Sequence, residues 1–228
     1  MKKKVAFFDV DGTIFRSSLL VELVEALIAS EVFPAKALKY FKYEKEAWLN
    51  RQGTYEDYIG AVVTAFLKNI KGVSYKEFMD IGESIIGDHK DRTYIYTRDL
   101  IKKLKKQGYY IVAISQSPKG ILDKFCANLG FDKVYGRIYE LGPGDEFTGK
   151  VVDEHLIENK ANIVKRVIEK EKLSLNKSIA VGDTEGDIPM LELVEKAICF
   201  NPNQKLYRYA KINNWPVVIE RKDVVYEM

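Results

Sequence analysis

Two carboxylates stand at the end of the first apolar run in the sequence. The stretch FFDVDGTIF, residues 7–15, places Asp9 and Asp11 one residue apart and follows them with Gly12 and Thr13. Two such acids at close range repel each other by about 4 kcal/mol where the effective dielectric constant is about 20. A positive charge is therefore expected beside them.

A second acidic pair follows another apolar run. In SIAVGDTEGDIPML, Asp183 comes directly after Gly182, and Asp187 follows four residues later. Because ligands bind at the carboxyl ends of the strands in an open parallel sheet, we expect the two acidic pairs to meet at one edge. A set of oxygen ligands suits Mg²⁺, which retains waters and binds phosphate groups. A zinc site is not predicted, since His89 and His155 are the only histidines and we interpret both as polar surface residues.

Two further segments could bind an anion. The run YIVAIS, residues 110–115, leads into Ser115, Gln116, Ser117 and Pro118, which places a hydroxyl and backbone N–H groups at a helix N-terminus. Lys160, in IENKANIV, is predicted at the start of the helix that leads to Asp183. Its ammonium could place a fixed positive charge opposite the metal.

Each of these residues also has a simpler interpretation. The first acidic pair could cap a turn, and Ser115 could be a helix N-cap or a strand-end hydroxyl. Lys160 could be a solvated helix lysine, with Lys165 as an adjacent competitor. Asp187 could cap the short helix of IPML. The presence of all four features in one chain favours the chemical interpretation.

Apolar runs that alternate with helical patterns predict the elements that position these residues. The runs are VAFFDV (5–10), YIVAIS (110–115), SIAVGD (178–183), KAICF (196–200) and WPVVI (215–219). Such near-continuous runs predict an α/β fold, with a parallel sheet covered by helices on both faces. Residues 133–152 are predicted to form a β-hairpin with the Gly142–Pro143–Gly144 segment at its turn.

The segment from residue 16 to residue 91 shows no strand pattern. Its periodicity predicts four amphipathic helices, near residues 18–30, 34–49, 54–70 and 74–87. Thr54 with Asp57 resembles a capping box at the start of the third helix. We therefore predict an α/β core formed by residues 1–15 and 92–228, with a helical cap domain at residues 16–91 inserted directly after the first strand.

Composition excludes several classes of function. The 228 residues are 46% hydrophobic, which is sufficient for a full core, and the net charge of +3 gives no general affinity for nucleic acid. The lysine run at residues 102–106 is interpreted as a solvated helix face. No membrane span or secretory signal is predicted, so a cytoplasmic location is expected, with Cys126 and Cys199 as buried reduced thiols. Composition predicts no oligomeric state.

The four features, in their order along the chain, resemble a known family. Asp9-x-Asp11-Gly12-Thr13, then Ser115, then Lys160, then Gly182-Asp183-x-x-x-Asp187 are similar to the four motifs of the haloacid dehalogenase (HAD) superfamily. The helical insertion and the spacing of its last motifs resemble the phosphoserine-phosphatase-like branch, subfamily IB. The resemblance implies a Rossmann-like core and a phosphatase of small phosphorylated metabolites.

The resemblance also implies roles for individual residues. Asp9 would be the nucleophile and Asp11 the general acid and base. Asp9, the backbone carbonyl of Asp11 and Asp183 would hold Mg²⁺, with Asp187 in its outer shell. The phosphoryl oxygens would be held by a further set of groups: Gly12, Ser115, Gln116 and Lys160.

The resemblance implies less about the substrate. In phosphoserine phosphatases an acidic residue seven positions after the second motif aspartate meets the substrate amine, and Ser18 stands there. The family's later arginine loosely matches Gly60, and Arg51 could replace it. We therefore expect phosphoserine to be a poor substrate. Aromatic residues of the segment 40–58 could line a pocket, although packing between helices is the simpler use of most of them.

Other functions are compatible with the same motifs. The enzyme could transfer the phosphoryl group to an acceptor other than water. A non-catalytic phosphate-binding module, or a receiver-like domain phosphorylated on Asp9, would also use the phosphate cradle. Asp11 argues against both non-catalytic alternatives, because neither of them needs an acid for a leaving group.

Overall fold

The computed structural model describes residues 2–228. The strands are β1 Lys4–Asp9, β2 Tyr110–Pro118, β3 Lys133–Leu141, β4 Phe147–Val152, β5 Ser174–Gly182, β6 Lys196–Phe200, β7 Val217–Arg221 and β8 Val224–Glu227. The helices are α1 Leu19–Ala29, α2 Lys42–Leu49, α3 Tyr55–Asn69, α4 Tyr75–His89, α5 Ile95–Lys106, α6 Lys119–Cys126, α7 Glu154–Ile157, α8 Lys160–Lys170, α9 Ile188–Leu191 and α10 Gln204–Asn213.

The strands form one sheet in the order β4-β3-β2-β1-β5-β6-β7-β8. The neighbours from β3 to β7 run parallel, and only the outer pairs β3–β4 and β7–β8 are antiparallel. The predicted α/β fold is therefore confirmed. The last strand was missed because β8 is short and exposed along its whole length, so it lacks the buried apolar pattern that marks the central strands.

The chain divides into two compact units. The first comprises residues 1–16, 90–137 and 153–228, and the second comprises residues 17–89 and 138–152. The second unit therefore contains, besides the helices α1–α4, the outer part of the β3–β4 hairpin, which we had assigned to the core. Backbone hydrogen bonds join this hairpin to the loop before α4, between Gly72 and Phe147 and between Tyr75 and Asp145.

The second predicted helix is interrupted in the structure. Residues Ala35–Tyr40 form a 3₁₀ helix, and α2 begins only at Lys42. The residue between them, Phe41, is buried and has φ −135°, which is outside the helical range. The other three predicted helices are found within about two residues of their expected bounds, and Thr54 caps α3 by accepting from Asp57 N at 3.1 Å.

A buried apolar cluster lies under α8 and supports the central strands. It includes Val5 and Phe7 of β1, Val112 and Ile114 of β2, and Ala180 of β5. Because these strands are parallel neighbours, they all end at the same edge of the sheet. Cys126 and Cys199 are buried and free, as predicted. None of the helices between residues 2 and 228 is long and apolar enough to cross a membrane.

Candidate active site

Three acids converge where β1 and β5 end. Asp9 is the last residue of β1, and Asp183 and Asp187 follow β5. One carboxylate oxygen from each residue lies within 4.8 Å of the other two, and all three side chains are buried. The sequence prediction that acids separated by more than 170 residues meet at one edge is therefore confirmed for this trio.

Lys160 lies between two of these acids. It is the first residue of α8, and its Nζ donates to Asp9 Oδ1 and to Asp187 Oδ1. Burial by itself lowers the pKa of Lys160, but the carboxylates of Asp187 and Asp9 raise the pKa by more, so the ammonium is held above its ordinary value. The alternative of a solvated helix lysine is wrong for Lys160, whereas Lys165 is exposed.

Asp187 is saturated by contacts within the chain. Its Oδ1 accepts from Lys160, and its Oδ2 accepts from the backbone N–H groups of Asp183 at 2.9 Å and Thr184 at 3.1 Å. The interpretation of Asp187 as a cap of the IPML helix is wrong, because its side chain makes no capping hydrogen bond to α9. Asp187 forms a capping box with Thr184 on the preceding 3₁₀ turn, Glu185–Asp187, instead. With both oxygens engaged, this carboxylate can orient the Asp183 backbone and Lys160.

Asp183 is held by the loop that follows β1. The Thr13 hydroxyl donates to Asp183 Oδ1 at 3.2 Å. The Thr13 carbonyl in turn accepts a 2.8 Å hydrogen bond from the Thr97 hydroxyl of α5, and both threonines are fully buried. The first motif thus supplies Asp9 and also positions the acid of the last motif.

Asp11 receives two hydroxyl groups from the end of β2. Ser115 Oγ and Ser117 Oγ both donate to Asp11 Oδ2, the second at 2.9 Å. The Ser117 N–H donates to Ser115 Oγ at 2.9 Å, which holds the first hydroxyl in place. The expected start of the helix at Ser117 is wrong, because β2 continues through Pro118 and α6 begins at Lys119.

Burial, together with neighbouring negative charges, raises the pKa values of Asp9 and Asp183. Burial raises the pKa of Asp9 from an ordinary 3.8 to about 7, although Lys160 draws it down and the charges of Asp187 and Asp11 add to the rise. Burial, followed by the charges of Asp9 and Asp187, raises the pKa of Asp183 well above its usual range. A divalent cation would reverse these shifts, because it favours the ionised carboxylates.

The donor set fits a magnesium ion. Asp9 Oδ2 is buried, and it accepts no hydrogen bond from any group between residues 2 and 228. A buried carboxylate oxygen without a partner is costly unless a ligand satisfies it. Together with the Asp183 carboxylate, it offers the hard oxygen ligands that Mg²⁺ prefers.

Two predicted phosphate-binding residues have other partners in the structure. The Gly12 N–H donates to the Phe15 carbonyl at 3.0 Å, so phosphate binding by Gly12 stays a prediction that requires this hydrogen bond to exchange. Gln116 is exposed at the end of β2, and its Oε1 accepts from Arg137 at 3.0 Å. Ser115 lies beside Asp11, as described above, and its contact with phosphate also stays a prediction.

The predicted specificity residues belong to the second unit. Ser18 is buried immediately before α1. Arg51 is exposed, and its guanidinium lies 5.3 Å from the Trp48 ring. The aromatic residues of this segment mostly pack against one another, with ring distances of 5.4 Å for Trp48–Tyr55 and 6.3 Å for Tyr55–Tyr58, whereas Tyr43 is exposed. Their packing between helices is confirmed, and their roles toward a substrate stay predictions.

Sequence analysis did not assign Ser117 or Thr97 to the site. A signal existed for Ser117, because residues two apart in an extended strand share a face and Ser115 had been assigned. No local signal exists for Thr97, since it reaches Thr13 from a helix more than 80 residues away. The prediction that the two histidines are surface residues agrees with the structure, in which His155 is exposed and His89 is partly exposed.

Two phosphoserine phosphatases are similar to the chain over most of its length. Phosphoserine phosphatase SerB1 of Mycobacterium tuberculosis is 29% identical over 216 residues, which cover 93% of this chain and 69% of that protein. A phosphoserine phosphatase of Methanocaldococcus jannaschii is 26% identical over 229 residues, which cover 98% of this chain and 95% of that protein.

Solved structures share the fold. A crystal structure of a protein of unknown function from Bordetella pertussis Tohama I has a TM-score of 0.74 at 19% identity, covering 96% of this chain and 99% of that chain. A structure described as a phospho-aspartyl intermediate analogue of phosphoserine phosphatase has a TM-score of 0.64 at 23% identity, and the match covers 98% of this chain and 96% of that chain.

The family assignment comes from the sequence as a whole. The family model for haloacid dehalogenase-like hydrolases matches residues 6–192, a span that contains every acid of the cluster described above. The resemblance noted on the four motifs is therefore confirmed. The chain belongs to the haloacid dehalogenase-like hydrolases.

Proposed function

We propose that this hydrolase is a phosphatase, which hydrolyses the phosphomonoester of a small metabolite through an aspartyl-phosphate on Asp9, with Mg²⁺ as its cofactor. The observation that carries the proposal is the state of Asp9. One of its oxygens is held by Lys160, while the other is buried at the edge of the sheet without a partner among residues 2–228. A carboxylate that is fixed by a cation and has an unsatisfied oxygen is suited to bind an electrophile there, either the metal ion or the phosphorus of a substrate.

Asp11 is the proton-transfer group in this proposal. Its Oδ2 is held by the two serine hydroxyls of β2, which fixes the direction of the carboxyl group. Asp11 would donate a proton to the leaving oxygen and then remove a proton from the attacking water. Acid–base assistance of this kind is typically worth about 10²–10⁴-fold in rate.

Charge balance explains the need for a cation. Asp9, Asp11, Asp183 and Asp187 carry four negative charges when ionised, and the Lys160 ammonium compensates only part of them. We infer that Asp9, the Asp11 carbonyl and Asp183 would hold Mg²⁺, with Asp187 orienting Asp183 through its backbone N–H. When bound, the ion supplies electrostatic stabilisation of charge on the phosphoryl oxygens.

The substrate differs from phosphoserine in this proposal. Relatives of the chain carry the name phosphoserine phosphatase, but Ser18 cannot replace a carboxylate that would bind a substrate amine. The loosely matched arginine position is Gly60, an exposed residue, and Arg51 interacts with Trp48 instead. We therefore infer a substrate whose leaving group lacks the ammonium of an amino acid.

Turnover of p-nitrophenyl phosphate tests the chemistry. The wild-type protein should release phosphate with Mg²⁺ and no added acceptor, and Asp9→Asn should abolish this release. Peptide mapping after an acid quench should place the phosphoryl group on Asp9. Release that requires an added acceptor alcohol would instead indicate a phosphotransferase, and a wild type inert across a broad phosphoester panel would contradict hydrolysis.

A panel of phosphorylated metabolites tests the substrate class, with released phosphate as the readout. Phosphoserine should give a kcat/KM at least about tenfold below that of the best substrate, which corresponds to about 1.4 kcal/mol of lost transition-state binding. Phosphoserine as the best substrate would contradict the inference drawn from Ser18.

A further inference from the structure

Arg137 lies next to the proposed phosphoryl site, and neither the motifs nor the family assignment gives it a role. It is paired with Pro118 in the β2–β3 register, just beyond Gln116. Ile114 belongs to the buried cluster under α8 and Tyr135 packs against it. Since residues two apart in a strand share a face, Arg137 lies on the same face of β3 as Tyr135, the face covered by α8. There it contacts Glu154 of α7, the helix before α8, and Gln116, next to the register shift of β2 between Ile114 and Pro118.

The guanidinium of Arg137 is nearly buried and incompletely paired. Its side chain is 11% exposed, and its Nη2 donates to Gln116 Oε1 at 3.0 Å. Among the described residues its carboxylate partner is Glu154, whose Oε1 lies 3.5 Å from Nη1 and whose side chain is half exposed. The Arg137 Nε is buried and has no acceptor among residues 2–228.

Such an arrangement is unfavourable unless an anion completes it. Arginine remains charged at all accessible pH values, and burial of a charge is costly without close compensation. An ion pair at 3.5 Å with a half-exposed carboxylate offsets only a small part of that cost. A negatively charged ligand near Gln116 would improve the electrostatic balance.

The backbone holds Arg137 against the end of β2, the segment that carries Gln116. A Cβ on Gly136 would lie 2.9 Å from Lys119 Cα and 3.0 Å from the Ser117 carbonyl oxygen. The strand can approach the end of β2 this closely only because residue 136 has no side chain. Arg137 is therefore placed by main-chain packing on the segment that follows Ser115.

The contact between Arg137 and Gln116 also determines the direction of the glutamine amide. A guanidinium can only donate hydrogen bonds, so the atom of Gln116 that meets it must be the carbonyl oxygen. This leaves the amide NH₂ of Gln116 as the end that can donate to an anion. Lys160 is less able to do so, because it already donates to Asp9 and Asp187.

We propose that Arg137 is a positioning residue of the phosphoryl site: it holds Gln116 with its amide NH₂ toward the phosphoryl oxygens and adds a second fixed positive charge at this edge of the sheet. The proposal rests on the proposed function, since it assumes that Gln116 binds the phosphoryl group. It assigns to Arg137 a role in phosphate affinity rather than in proton transfer.

Binding of inorganic phosphate, measured by calorimetry with Mg²⁺ present, tests the proposal without requiring turnover. Arg137→Met keeps the apolar stem and removes the charge, and it should weaken phosphate binding about tenfold, the value expected for loss of a charged hydrogen bond. Gln116→Leu should weaken binding to a similar degree. The double variant should bind phosphate no more than about twofold more weakly than either single variant, because both changes remove the same Arg137–Gln116 interaction.

Kinetics with p-nitrophenyl phosphate provide a second readout. Arg137→Met should raise KM in proportion to the loss of phosphate affinity, while kcat changes by less than about threefold. Arg137→Lys should restore part of the affinity through its charge. Glu154→Gln is the matched control, because it removes the other partner of Arg137 and should leave phosphate affinity unchanged.

The outcomes separate the two proposals. Phosphate affinity in Arg137→Met and Gln116→Leu equal to that of the wild type would overturn the role of Arg137. If Arg137→Met lowered the melting temperature without changing phosphate affinity, Arg137 would only stabilise the packing of β3 against its neighbours, and the proposal would be overturned. Phosphate binding without turnover would contradict hydrolysis and leave the role of Arg137 intact. Failure of the wild type to bind phosphate would overturn both. Gln116 is exposed, so its variant tests the proposal even if Arg137→Met does not fold.

Discussion

The carboxylate of Asp183 occupies the space in which a side chain at Gly12 would begin. A Cβ built on Gly12 would lie 2.1 Å from Asp183 Oδ2, and Gly12 has φ +82°, in the left-handed region. The glycine of the first motif thus allows the acid of the last motif to come next to it. Both the close contact with Asp183 and the left-handed backbone exclude a larger residue at position 12.

Gly12→Ala should therefore disrupt the acidic cluster. The Cβ would collide with a buried carboxylate, and the left-handed conformation would add about 1 kcal/mol of strain. We expect loss of detectable Mg²⁺-dependent turnover and a lower melting temperature. Gly60→Ala is the matched control, because nothing lies within 4 Å of its Cβ position, and it should be neutral or stabilising. Wild-type activity in Gly12→Ala would refute the importance of this contact.

Lys160→Met should destabilise the protein. Removal of the ammonium leaves Asp9 and Asp187 buried beside each other, and the loss of one partner from a buried ion pair costs about 3–5 kcal/mol. Urea unfolding in the presence of a chelator measures the change in free energy. Lys165→Met, five residues later on the exposed face of α8, should change stability by less than about 0.5 kcal/mol. Equal effects of the two changes would show that the contacts of Lys160 do not stabilise the fold.

Asp11→Asn should separate the two halves of the reaction. Asparagine can still accept the hydrogen bonds of Ser115 and Ser117, so the local structure should persist while proton transfer is lost. We expect kcat for alkyl phosphates to fall by about 10²–10⁴-fold. With p-nitrophenyl phosphate, whose leaving group needs no proton, a rapid burst of nitrophenol should precede slow turnover. A uniform loss for both substrates, with no burst, would argue against Asp11 as the acid and base.

Mg²⁺ should stabilise the protein more at higher pH. The pKa of Asp9 is about 7 in the folded chain against an ordinary 3.8, so the folded state retains a proton that the unfolded state has released. The contribution of Asp9 to the stability of the metal-free protein therefore falls as pH rises from about 4 to about 7. Mg²⁺ needs the ionised carboxylate, and its stabilising effect should grow over the same interval.

Melting temperatures measured with and without Mg²⁺ at about pH 5 and about pH 8 check this expectation. At a concentration 100-fold above its dissociation constant, the ion should add about 2.7 kcal/mol at the higher pH and much less at the lower. In the metal-free protein, Asp9→Asn should remove the part of the stability difference between the two pH values that comes from the titration of Asp9. The same gain from Mg²⁺ at both values would mean that the cluster does not bind the ion.

Local patterns along the chain were sufficient to predict several features of this protein. An apolar run shows where a buried strand lies, and the parallel-sheet rule then places the residues after β1, β2 and β5 at one edge. The convergence of Asp9 and Asp183, and the position of Lys160 at the start of α8, followed from these patterns. They depend on where each apolar strand ends and on helix periodicity, which residues close in sequence encode.

Only the tertiary structure decided how these residues are used. The saturation of Asp187, the reach of Thr97 to Thr13 and the exclusion of a side chain at Gly12 each depend on the approach of distant elements to within a few ångströms. The placement of the β3–β4 hairpin with the helical unit, and of Arg137 against Gln116, has the same origin. Periodicity specifies which face of an element is buried, whereas the packing of that face against remote elements decides which atoms meet.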